Sequence, residues 1–359
     1  MDDKPSLSAW ECISLPLAFA RITLSLITAV LRAPFRGKGG APTFKRYVLY
    51  EGMRSVVEST TLRKYQAINP STVESYTAFV KKKGLGPNIS KLPDGSLGCW
   101  IGDKAADLIV LWFHGGGFAY MAGQEYMKFL SSIVSEASAK NLSIAAFILQ
   151  YSVAPKATYP RQLEQAVGTV KFLTEELGKP YSNLLIGGDS AGSSLTAAVL
   201  AHLSHPHPSI PPLRNNGQSF RGALFLSSWL KFDQSSQSFS RNSRKDCLGG
   251  PGLRKWAKAY MGHAPADFYN EPLEAPADWW QDIAVGHILI LAGEDEILLD
   301  DALQFVQKLK QHNANKVVAF ISTGECHNPP VSDRQLGLYH REGEGAMERR
   351  LHQWILDRI

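Results

Sequence analysis

With 359 residues, 44% of them hydrophobic, the chain can bury a large core and suits one large α/β domain with insertions, or two domains. Its formal charge of +5 is modest, and no dense Lys/Arg block alternates with aromatics, which argues against nucleic acid as a partner. The four cysteines, Cys12, Cys99, Cys247 and Cys326, form no C-x-x-C pair. Neither a structural zinc site nor a disulfide framework is expected, and a reducing, cytoplasmic compartment is the plainer reading.

The first element covers residues 12–31, apolar over nearly the length of a membrane span. Pro16 and Arg21 interrupt it, and Ser14, Arg21, Ser25, Thr28 and Arg32 fall on one helical stripe, which predicts an amphipathic helix. Three readings stay open. The helix packs on the protein's own pocket, or residues 10–32 lie on an intracellular membrane surface, or they span it with Arg32, Arg36 and Lys38 on the cytosolic side. A cleaved secretory signal fits poorly, because Asp2 and Asp3 open the chain and the apolar run comes late.

Residues 33–45 read as a Pro/Gly/Lys linker, and 48–83 as helical, with Tyr50, Val56, Leu62 and Tyr65 spaced for packing. After the turn Pro93-Asp94-Gly95, strands at 98–101 and 108–113 are expected as a pair around the turn Gly102-Asp103-Lys104. Strands and helices then alternate. Strands are expected at 143–150, 184–187, 223–227, 287–292 and 317–321, with helices at 161–177, 190–203, 301–312 and 345–358. Such alternation predicts a mostly parallel central sheet with helices on both faces, whose strand ends supply the active site. Residues 205–221 form a Pro-rich loop and 231–280 a longer polar and aromatic insertion read as a lid. The expected organisation is a helical segment at 1–60, cap or membrane-associated, and a catalytic domain at 61–359 carrying the lid.

Gly188-Asp189-Ser190-Ala191-Gly192 places one serine between a strand and a helix. A serine at such a corner occupies a strained turn that exposes its hydroxyl near the N–H groups opening the helix. His114-Gly115-Gly116-Gly117-Phe118 follows an apolar strand, and its glycines leave N–H groups unshielded, as stabilisation of an oxyanion requires. A phosphate loop is disfavoured, since neither G-K-[ST] nor G-x-G-x-x-G spacing is present. A hydroxyl needs a base, and the base an orienting acid.

Of ten histidines, His327 lies on a loop after a strand, while His202, His205 and His207 read as a solvated loop rather than a ligand set. Cys326, beside His327, reads as a small buried residue. The acid should follow the strand at 287–292, where Glu294, Asp295, Glu296, Asp300 and Asp301 compete. Asp300 and Asp301 can alternatively cap the next helix.

Together HGGGF, GDSAG, the stretch Gln150–Pro155, Tyr159-Pro160, Ser227–Leu230 and His327 resemble the hormone-sensitive-lipase-like branch of the α/β-hydrolases, in particular its fungal carboxylesterase-like members. The resemblance covers most of residues 90–358, and the order serine, acid, histidine matches the fold. It implies Ser190 as nucleophile, His327 as general base, and Gly116, Gly117 and Ala191 as donors of the oxyanion hole. Aligning Leu298–Asp301 with the end of the family's acid segment implies Glu296 as the acid in place of the usual aspartate, with Asp295 as runner-up. Ser193 stands where the family commonly has glycine, a departure expected to matter little.

The implied activity is hydrolysis of carboxylic esters through an acyl-enzyme, without cofactor or metal. An acetyl ester or lactone of a hydrophobic polyketide or terpenoid is the expected substrate class. The lid aromatics Trp256, Tyr260, Phe268, Tyr269, Trp279 and Trp280 favour such a hydrophobic substrate. Acyl transfer or cyclisation by the same triad, and a receptor that has lost catalysis, are the other classes.

Overall fold

The computed structural model describes residues 4–339 and 343–358. Its centre is an eight-stranded sheet: β1 (Ile89–Lys91), β2 (Leu97–Ile101), β3 (Leu108–Phe113), β4 (Ile144–Gln150), β5 (Leu184–Asp189), β6 (Gly222–Leu226), β7 (Ile288–Gly293) and β8 (Val317–Ser322). Their spatial order is β1-β2-β4-β3-β5-β6-β7-β8, with β1–β2 and β2–β4 antiparallel and every later pair parallel. The strands at 98–101 and 108–113 are therefore not partners, because β4 inserts between them. The three-residue β1 at the edge was not foreseen, being too short to show an alternation.

Strands β3, β5, β6 and β7 are buried along their whole length, which is why they read as continuous apolar runs. Along β3 the side chains alternate between two cores: Ile109, Leu111 and Phe113 enter one, Leu108, Val110 and Trp112 the other. Helices α1 (Ala9–Ile13), α2 (Leu15–Arg32), α3 (Phe44–Ser59), α4 (Leu62–Ile68) and α5 (Thr72–Lys82) precede the sheet. The single helical stretch expected at 48–83 is thus three helices, separated where Thr61 and Ser71 cap new N-termini.

Helix α6 (Gln124–Ala139) follows β3, and its serine-rich sequence concealed it. Helices α7 (Arg161–Lys171), α8 (Ala191–Ser204), α9 (Gln237–Arg241), α10 (Gly250–Met261), α11 (Leu299–Asn313), α12 (Pro329–Gln335) and α13 (Ala346–Leu356) are the remaining described α-helices. Since β4 lies on one side of β3 and β5 on the other, the chain reverses its winding there. The loops leaving the C-terminal ends of β3 and β5 border the resulting crevice.

Candidate active site

Ser190 ends β5 and opens α8 with φ 52° and ψ −120°, a conformation that L-residues rarely adopt. The flanking glycines make this corner possible. A Cβ on Gly192 would lie 1.9 Å from the carbonyl oxygen of Phe113, and one on Gly188 would lie 2.4 Å from the Gly192 backbone. Strand β3, the corner and α8 can therefore meet only through bare backbone.

Ser193 adds a correction. Its hydroxyl donates to the carbonyl of Gly188 (2.7 Å) and accepts from the Leu226 N–H (3.1 Å), fastening the corner to β6. The departure from glycine is thus a buried crosslink. Ser193→Ala is expected to lower stability by about 1–3 kcal/mol, read as a lower urea midpoint, because buried partners lose a hydrogen bond.

The candidate base and acid come from the neighbouring strand ends. His327 follows β8 and Glu296 follows β7; both side chains are buried, and His327 Nδ1 lies 3.4 Å from Glu296 Oε2. Neither atom has a hydrogen bond within the standard limits, and such pairs are commonly loose before substrate binds. Glu296 Oε1 accepts from Ser227 Oγ and the Gly293 N–H, each at 2.6 Å, which fixes the carboxylate.

The competing acids are engaged elsewhere. Asp295 pairs with Lys245 at 2.8 Å, Asp300 with Arg241 at 2.7 Å, Asp301 takes the Ser236 hydroxyl, and Glu294 is exposed. Asp300 and Asp301 do not cap α11, whose N-cap Leu298 makes no side-chain bond; they hold the segment around α9 instead. Burial alone would lower the His327 pKa, but the Glu296 carboxylate 3.4 Å away, with Asp246 and Asp189 behind, outweighs it and raises the imidazole above its usual value. Burial raises Glu296, partly offset by His327 and Ser227.

After β3, Gly116 (φ 97°) and Gly117 (φ 62°) turn the backbone. The N–H groups of Gly116, Gly117 and Ala191 donate to no acceptor among the described residues. His114 in the same loop is buried against Tyr151, with ring centroids 4.2 Å apart, and donates from Nδ1 to the Gly115 carbonyl. Burial lowers its pKa to about 4, so it stays neutral and structural.

Four residues that sequence reasoning passed over tie the site together. Asp189 is fully buried and accepts from Trp112 Nε1 (3.0 Å), the Gly115 N–H (3.0 Å), Tyr126 Oη (2.7 Å) and Asn328 Nδ2 (2.6 Å). It thereby joins the glycine loop, the serine corner and the histidine loop. Burial raises its pKa to about 6 against the pull of its donors.

Ser227, besides holding Glu296, accepts from the Asn328 N–H at 2.9 Å, and Asn328 itself is left-handed with φ 52°. Asp246, in the 231–280 insertion, accepts from the His327 N–H (3.1 Å) and the Ile297 N–H (2.7 Å), so one carboxylate holds both the His327 and the Glu296 loops. The sequence signals were the place of Asp189 inside GDSAG and of Ser227 at the head of the Ser227–Leu230 stretch; nothing marked Asn328 or Asp246.

Ser190, Gly116, His327 and Asn328 face a cavity of about 400 Å³. Its walls come from α2 (Ile22, Leu26), α3 (Met53, Val56) and the 231–280 insertion (Leu248, Trp256). Tyr65 stacks on Tyr120 at 3.6 Å along its side. Of the six lid aromatics expected to favour a hydrophobic substrate, only Trp256 reaches this cavity. Tyr260 stacks on Phe118 at 3.8 Å, Phe268 and Tyr269 pack on Trp279, and Trp280 is buried against Phe305. The three loop histidines also differ from expectation: His202 is buried, His205 stacks on Trp279 at 3.9 Å, and His207 packs on Tyr159 and Tyr269. Asp246, Cys247 and Cys326 bring possible metal-binding atoms within 4.8 Å of one another, but the oxygens of Asp246 are already committed to backbone N–H groups.

Comparison with known proteins agrees with this architecture. The chain is 28% identical over 195 residues to an acetyl-hydrolase of Streptomyces hygroscopicus, covering 54% of this chain and 58% of that protein. It is 22% identical over 207 residues to steryl acetyl hydrolase 1 of Saccharomyces cerevisiae, covering 55% and 46%. It thus spans about half the length of these curated relatives.

Among solved structures, an esterase from the bacterial hormone-sensitive lipase family superposes with a TM-score of 0.63 at 22% identity, covering 88% of this chain and 98% of that one. Carboxyl esterase 2 of the mycorrhizal fungus Tuber melanosporum gives a TM-score of 0.62 at 19% identity, over 76% and 87%. A family model for the alpha/beta hydrolase fold matches residues 110–328, from within β3 through the histidine loop. With its sheet order, its serine corner and this match, the chain belongs to the alpha/beta hydrolase fold family.

Proposed function

We propose that the chain is a carboxylic ester hydrolase using Ser190, His327 and Glu296. The observation that carries this reading is the buried His327–Glu296 pair opening onto the same cavity as the strained Ser190. His327 removes the Ser190 proton as Oγ attacks the acyl carbon, and the N–H groups of Gly116, Gly117 and Ala191 receive the oxyanion. The alcohol leaves with the proton from His327, and a water deprotonated by the same imidazole releases the acid and restores the serine. Glu296 holds the imidazole tautomer and offsets its transient charge.

The apolar walls of the cavity, and relatives named acetyl-hydrolase and steryl acetyl hydrolase, support a small acyl group on a hydrophobic alcohol. A lactone or acetyl ester of a polyketide or terpenoid fits this description. Turnover of p-nitrophenyl esters from acetate to decanoate tests it. Measurable hydrolysis that favours the short acyl groups is expected; no hydrolysis at any length would refute the assignment.

The raised His327 makes a second expectation. The imidazole must be neutral to accept the serine proton, so activity falls as pH drops through its folded pKa. That acid limb of kcat/KM is expected above the ordinary histidine value of about 6.5. In Glu296→Gln, burial dominates and the limb moves to lower pH. A limb unmoved by that substitution would contradict the pairing.

A further inference from the structure

Helix α2 has two faces with opposite surroundings. Ala18, Ile22, Leu26 and Ala29 turn inward, and Ile22 and Leu26 line the cavity. On the other side Leu17, Leu24 and Leu31, seven residues apart, form one ridge, with Ile27 beside it, all exposed. Nine of the sixteen exposed large apolar side chains among the described residues lie between Trp10 and Phe35. A patch of this kind is rare on a soluble surface and marks a contact.

The chemistry of the edges selects the partner. From Cys12 to Lys45 the chain has five basic residues, Arg21, Arg32, Arg36, Lys38 and Lys45, and no acidic one. Arg21 and Arg32 border a groove against Tyr47 and Glu51, and neither forms an ion pair among the described residues. Glu51 is already paired with Arg54 at 2.8 Å.

We propose that this face docks onto the surface of an anionic lipid bilayer, with α2 lying in the plane of the headgroups. The ridge enters the acyl boundary, Trp10 and Phe35 anchor the two ends, and Arg21 and Arg32 meet lipid phosphates. Although Ala9–Phe35 is long and apolar enough to cross a membrane, Arg21 and Arg32 stand three turns apart along one side. A span would draw Arg21 towards the hydrocarbon centre at a large cost, whereas an in-plane helix leaves both at the headgroups. Because the same helix walls the cavity, docking brings that wall to the lipid, from which a hydrophobic ester can pass inward. This last consequence rests on the hydrolase reading; the docking itself does not.

Flotation of the full chain with phosphatidylcholine vesicles, with and without phosphatidylserine, tests the proposal. Binding is expected to the anionic vesicles and to weaken with salt. Arg21→Gln with Arg32→Gln should weaken it roughly twenty-five-fold, at about fivefold for each arginine. Leu24→Ser with Leu31→Ser should weaken it at least about tenfold. Turnover of soluble p-nitrophenyl acetate should be unchanged in both variants, which also reports that they fold. Absence of wild-type flotation, or equal flotation of wild type and variants, would overturn the proposal. So would retention after carbonate extraction, which marks a span. Self-association without vesicles, abolished by the leucine variant, would identify a protein contact instead and also overturn it. Flotation without ester turnover by wild type would remove only the hydrolase reading.

Discussion

Ser190→Ala is expected to lower kcat for p-nitrophenyl acetate by about 10⁶-fold while leaving the fold intact. Removal of a serine nucleophile from a triad costs this much because the base then has nothing to activate. The residual rate should be that of the oxyanion donors acting on bound ester and water, about 10³–10⁴-fold over solution. The strain at φ 52° makes the stability control informative. Alanine must adopt the same backbone, so thermal unfolding should shift little, and a large shift would mean that activity was lost through the fold.

Glu296→Gln is expected to lower kcat by about 10⁴-fold, the magnitude seen when a triad acid loses its charge and fixes the wrong imidazole tautomer. Glutamine can still accept from Ser227 and Gly293 through its carbonyl, so the side chain should keep its place. Its amide would then face His327 Nδ1 as a donor, where the mechanism needs an acceptor. Asp295→Asn should change kcat less than about threefold, because the Asp295 carboxylate pairs with Lys245 and its backbone N–H, which the substitution keeps, donates to the Glu325 carbonyl. The reverse ranking would exchange the roles of the two acids. Together the two variants weigh Glu296 against the runner-up carboxylate one position earlier.

Much of this arrangement was legible before any coordinates. Strands buried on both faces, such as β5 and β7, announce themselves as apolar runs, and the glycines of HGGGF and GDSAG mark where backbone must pass backbone. What escaped depends on pairings distant in sequence. That β2 joins β4 rather than β3 is a matter of sheet order, which no local pattern encodes. The breaks at Thr61 and Ser71 were written as capping residues but were hidden inside a long helical periodicity.

The acid illustrates the same divide within the site. Five carboxylates crowd Glu294–Asp301, and only folding shows Asp295 turned to Lys245 and Glu296 turned to His327. Asp189, Ser227, Asn328 and Asp246 act through hydrogen bonds to loops as far as 139 residues away, so their types alone carried no signal. The lid aromatics failed for a different reason. Aromatic content reports burial, and burial in a lid core looks the same as burial in a pocket until the rings are placed.

Whether Ser190 is the nucleophile is read most directly from the mass of the active-site peptide after treatment with a fluorophosphonate. One phosphonyl adduct is expected on Ser190, formed in parallel with loss of ester turnover, slower in Glu296→Gln and absent in Ser190→Ala. An adduct on another residue, or full inactivation with the Ser190 peptide unmodified, would contradict it.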